Sequence, residues 1–141
     1  PNGQHSVVHW PGILQIIRLV SAMLVVVAII HLLPLSGVVS SDRLTALYGL
    51  NFSEPNLAIL MRHRAVLFGI LGVFLLFAAF HPPLQLAAFI VGFVSVISFL
   101  WLAWSVGDYN GQVARVFAAD IVALLCLITG AVAHVAMDRV S

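Results

Sequence analysis

Four residues in this sequence combine ionisable chemistry with an apolar setting: His31, Arg62, His63 and Asp120. Each lies within or at the mouth of a long hydrophobic run. Charged groups in such runs normally face the inside of a helix bundle or a polar cavity, and they mark ligand sites or proton paths. The natural partner of Arg62 is Asp120, because both sit near the starts of runs that begin on the same side. Side chains on helices lean toward the helix N-terminus, which brings these two to a similar level. His31, near the end of the first run, reaches that level from the other direction. The expectation is one polar cluster of His31, Arg62, His63 and Asp120, acting either as a ligand site or as an ion pair that only stabilises packing.

Other chemistries find less support. There is no HExxH or ExxH spacing, so no metal site is assigned. Among the histidines His31, His63 and His134, only the first two could face each other, and both read more simply as interfacial histidines. Nucleophile signatures and Gly-rich phosphate loops are absent, so no catalytic residue is named. Cys126 is the single cysteine, which excludes an intrachain disulfide and a thiolate cluster. A net charge of +1 with no basic stripe gives no footing for nucleic acid.

The elements that must position these residues follow from composition. Of 141 residues, 62% are hydrophobic and 8% charged, where a soluble domain carries roughly 25% charged residues. Several windows reach the ~20 apolar residues needed to cross a bilayer. The predicted fold is all-α: a single domain over 1–141, an integral membrane bundle of four up-and-down helices. Its spans are expected at about 13–33, 57–80, 84–104 and 113–135. The first apolar run is too long for a signal h-region and lacks an A-x-A-like exit.

Punctuation residues set these limits. Pro1–Gly12 reads as a polar tail ending in Trp10-Pro11-Gly12, and Pro34 with Gly37 closes the first span. Within the long loop that follows, Ser40-Ser41-Asp42 resembles a helix start and Gly49 a stop. Leu44, Leu47 and Tyr48 share a face between them, which predicts a short amphipathic helix at the interface. Ser53-Glu54-Pro55 caps the second helix. The brief His81-Pro82-Pro83 turn makes the second and third spans antiparallel neighbours. Trp101 and Trp104 close the third span, and a Gly/Asp/Asn-rich loop precedes the fourth.

All six basic residues besides histidine are arginines. Arg43, Arg62, Arg64 and Arg115 fall on the long-loop side and Arg18 and Arg139 on the side of the termini. The positive-inside rule then puts the long loop in the cytoplasm. In the second helix, Arg62, Ala65, Gly69 and Gly72 share a face suited to close helix packing. Arg64 shares another with Phe68, Leu71 and Leu75, expected to face lipid with Arg64 snorkelling outward. Asp120 and His134 share a face of the fourth span. With Ser95 and Ser98 nearby, a transmembrane polar relay is conceivable, although serines in lipid mostly bond their own helix or a neighbour.

Leu47-Tyr48-Gly49, Asn56-Leu57 and Arg62-His63-Arg64-Ala65-Val66-Leu67-Phe68-Gly69 resemble small bacterial four-helix membrane proteins of unknown function, distantly similar to DoxX-like proteins. The resemblance covers most of the chain and implies a multi-pass protein of the bacterial inner membrane. It also allows quinone-coupled chemistry, without the cysteines that thiol redox would need. Two functions are expected. The first is an accessory subunit, packed against a larger membrane complex or a second copy through its Ala65/Gly69/Gly72 face. The alternative is a binder of a quinone or other amphipathic lipid at the polar cluster, with no resident cofactor otherwise.

Overall fold

The computed structural model of the chain describes residues 10–140. Most of the expected tail falls outside that range, and its last three residues are already helical. Five α-helices follow in order: α1 Trp10–Leu32, α2 Ser41–Tyr48, α3 Pro55–Ala78, α4 Pro82–Val106 and α5 Gly111–Asp138, with a 3₁₀ segment Leu33–Val38 between α1 and α2. Four of these stretches are long and apolar enough to cross a membrane. The fold is an all-α bundle, as composition and spacing predict.

The helices form a ring. α1 packs broadly on α3 and α5, α4 packs on α5, and α3 meets α4 more sparsely. The buried centre contains Val20, Leu24 and Val27 of α1, Leu75 of α3, Phe89 and Val96 of α4, and Leu127 of α5. Lipid tails are as apolar as these side chains, so their contribution is close van der Waals contact rather than escape from water. Small residues permit that contact: a Cβ on Gly72 would lie 2.7 Å from Leu32 Cγ and 3.1 Å from the Ala28 carbonyl oxygen.

Helix limits compare with the expected ones in informative ways. The α-helix of the first span ends at Leu32, close to the expected limit at Pro34. Pro34 lacks the N–H that would continue the α-helical pattern, and the chain tightens into 3₁₀ geometry through Val38 instead of unwinding. α4 and α5 also run a turn or less beyond the apolar windows, because their caps lie in the polar loop. The Asn110 side chain accepts the Val113 N–H at 2.9 Å to start α5. Glu54 starts α3 by accepting from Asn56 N–H at 3.0 Å and Leu57 N–H at 2.7 Å.

The short amphipathic helix is present and covers one end of the bundle. Ser40 caps it, accepting from Arg43 N–H. Gly49 ends it at φ 64°, a left-handed conformation that glycine adopts without steric cost. Leu44 and Tyr48 are buried on its inner face and form a second small core with Phe52, against Met61, Val113 and Val116. Asn110 Nδ2 donates to the Tyr48 carbonyl at 2.7 Å. That bond fastens the end of α2 to the start of α5, and so holds α2 over the interior.

Candidate functional site

Under α2 the interior is hollow. A chamber of about 230 Å³ is lined by His31, Pro34, Leu47, Tyr48, Arg64, Phe68, Gln112, Arg115 and Asp120, among others. A wider cleft of about 520 Å³ lies beside it along the α3–α4 seam, where Met61, Ser95, Ser98, Phe99, Leu102 and Val113 contribute walls. Tyr48, Arg64 and Phe68 line both, so they form the partition between chamber and cleft. Leu102 and Val106 at the edge of the cleft are strongly exposed, which leaves that side open.

Arg64 is the centre of this arrangement. Its Nη1 donates to Tyr48 Oη at 2.6 Å. The guanidinium lies over three rings, 4.5 Å from the Phe68 centroid, 5.5 Å from Tyr48 and 5.9 Å from Phe99. Aromatic faces offset the cost of holding a cation away from water. Arg64 and Asp120 line the same chamber.

The expected exchange of roles between the two arginines is therefore reversed. Arg64 points inward and Arg62 outward, where Nη2 of Arg62 meets Ser41 Oγ at 3.4 Å on the surface. The buried arc of α3 holds Ala65, Gly69 and Gly72, as expected, but also Leu75 and Ala78. At 100° per residue, these last two shift its centre so that Arg64 lies about 60° from it and Arg62 about 100°. His63 is exposed as well. Of the four residues expected to cluster, only His31 and Asp120 share the chamber, and Arg64 with Tyr48 takes the place of Arg62 and His63. An aromatic residue four positions after an arginine, as Phe68 follows Arg64, was the available signal.

His31 is buried and fully engaged. Its Nδ1 lies 2.9 Å from the Val27 carbonyl oxygen, which can only accept, so Nδ1 carries a proton. In the neutral ring Nε2 is then an acceptor, and it takes the Ser95 hydroxyl proton at 3.0 Å. This bond joins α1 to α4 across the diagonal of the ring, while Phe68 stacks on the imidazole at 5.5 Å. His31 thus offers the chamber a ring edge rather than a free donor.

Asp120 is different. It is 6% exposed, lines the chamber, and has no hydrogen bond to its side chain among the described residues. Its carboxyl is open to whatever fills the chamber, and the side-chain atoms buried without a partner among the described residues are Gln85 Oε1 and His134 Nδ1 instead. The relay toward His134 is not continuous. Ala123, Leu127 and Gly130 fill the face of α5 between them, and Ser98 donates to its own helix at the Ser95 carbonyl. His134 lies instead beside Phe89 and 3.7 Å from Asp138. No group of three metal-ligating side chains occurs among the described residues.

Ala65, Gly69 and Gly72 are used within the molecule. A Cβ on Gly69 would meet Leu35, and one on Gly72 would meet Leu32, so the chain's own first span and 3₁₀ segment cover this face. No protein-family model, curated protein or solved structure matches the chain, and the functional reading rests on the site itself.

Proposed function

We propose that this protein binds one amphipathic molecule of the bilayer, with the polar head in the chamber under α2 and the tail along the α3–α4 cleft. The observation that carries this reading is a cavity lined at once by the Asp120 carboxyl, which has no side-chain hydrogen bond among the described residues, and by the Arg64–Tyr48 pair. An apolar cavity with a few convergent polar groups is the usual form of a small-molecule site. The adjoining cleft supplies an apolar path that opens toward the surroundings of the helices. In this reading the protein is multi-pass in a bacterial inner membrane, with α2 and the Arg43/Arg62/Arg115 end toward the cytoplasm. A distant kinship with DoxX-like proteins belongs to the same proposal, and a quinone is one head group within the class.

An accessory-subunit role is the rival. Its expected docking face at Gly69 and Gly72 is filled by the chain's own leucines, which favours the binder. Native mass spectrometry of the protein released gently from its own membrane separates the two. A single retained lipid-sized mass, absent in Arg64→Ala with helical content unchanged, supports binding. A second protein at fixed stoichiometry, with no small mass on either form, supports the subunit role instead.

A further inference from the structure

We infer that the head of the bound molecule is a neutral group carrying a hydroxyl, rather than a phosphate, carboxylate or ammonium. This rests on the binding reading above and goes further by asking which hydrogen bonds the chamber leaves unmade. His31 has none to give, since Val27 and Ser95 occupy both ring nitrogens. The Tyr48 hydroxyl accepts from Arg64 and keeps its own proton, so it remains a donor. Arg64 holds further N–H groups beside it. Asp120 presents unused acceptor oxygens and lies more than nine-tenths buried.

The groups lining the chamber are therefore met by a ligand that can donate to Asp120 and can accept from Tyr48 or Arg64. A hydroxyl does both with a single oxygen. A carboxylate or phosphate can only accept, and would bring a negative charge against Asp120. An ammonium can only donate, and would bring a positive charge against Arg64. Asp120 and Arg64, an acid and a base, line the same chamber, so a head bearing a full charge of either sign meets a like charge there. Arg115 does not alter this, because it is exposed at the chamber's rim.

Three probes with one tail test the inference: oleyl alcohol, oleate and oleylamine, offered together at equal mole fraction to the full chain in nanodiscs at pH 7. Native mass spectrometry reads which adduct is retained. The expected result is one oleyl alcohol per protein, in roughly tenfold excess over either charged probe, the scale of a hydrogen bond to a charged group. Asp120→Leu and Tyr48→Phe should each bring the alcohol adduct down to the level of the others, with circular dichroism checking that the helices remain. Should Asp120→Leu fail to fold, the ranking on the unaltered chain and Tyr48→Phe still decide. Dominance of oleate or oleylamine, or equal retention of all three, overturns the hydroxyl assignment and leaves the binding reading standing. Retention of none by the folded protein removes both.

Discussion

Two arginines a residue apart illustrate how much a helical register decides. Arg62 and Arg64 have the same chemistry and nearly the same depth in sequence, yet one meets Ser41 at the surface and the other is enclosed by three rings. Substituting them should have unequal effects. Arg62→Gln removes a long exposed contact and should change stability by no more than about 0.5 kcal/mol. Arg64→Gln loses the short bond to Tyr48 Oη and the stacking on Phe68, and should cost about 1–3 kcal/mol. Thermal melts in one detergent, followed by circular dichroism, give both values. Equal effects of the two substitutions would mean that Arg64 does not occupy the interior. The sequence showed that polar residues would enter the bundle at this level, and it identified His31 and Asp120. It did not show which arginine joins them, because that depends on Leu75 and Ala78 being buried three and four turns further along α3.

At the scale of elements, the sequence was legible wherever local chemistry sets the structure. Caps at Ser40 and Glu54 and the left-handed Gly49 lie where residue types place them. Glu54 also carries a pH dependence. The backbone N–H of Leu57, then that of Asn56, hold its carboxyl below the usual carboxylate range. A folded-state pKa below the unfolded value contributes stability that is fully present above the unfolded value and is lost as pH falls through the folded one. Protection of the Leu57 amide from hydrogen exchange, corrected for the intrinsic rate, should therefore fall in acid below the ordinary glutamate range. Glu54→Gln should remove that step, and a flat profile in the unaltered chain would show that the ionised carboxylate is not the cap. The glycines of α3 make a separate test of packing. Gly72→Ala would put a Cβ against backbone at Ala28 and should cost about 1–3 kcal/mol, whereas Gly12→Ala on α1 meets nothing within 4 Å and should be neutral or mildly stabilising. Denaturation of the two variants side by side measures the difference.

For the molecule as a whole, four apolar runs and short connections fixed the bundle, but not the hollow inside it. A cavity is a failure of side chains to meet, and no local pattern records that. Beside it, the α3–α4 seam is fastened at one end and carries the cleft at the other. At the turn end, the Ala79 carbonyl accepts from Ser21 Oγ at 2.6 Å and from Gln85 Nε2 at 3.3 Å, which ties α1, α3 and α4 together. At the other end the same two helices flank the cleft beside Arg64, with Phe68 of α3 and Phe99 and Leu102 of α4 among its walls. Motion of the seam should follow this asymmetry. In a Cys126→Ser background, spin labels at Leu60 and Leu102 report the cleft end and labels at Phe80 and Leu86 the turn end. All four positions are exposed. Electron–electron double resonance should give a broader distance distribution at the cleft end, and a bound alcohol whose tail fills the cleft should narrow that distribution alone. Equal widths at both ends would mean that the seam is uniformly closed, and a tail would then have no route between α3 and α4 to the chamber.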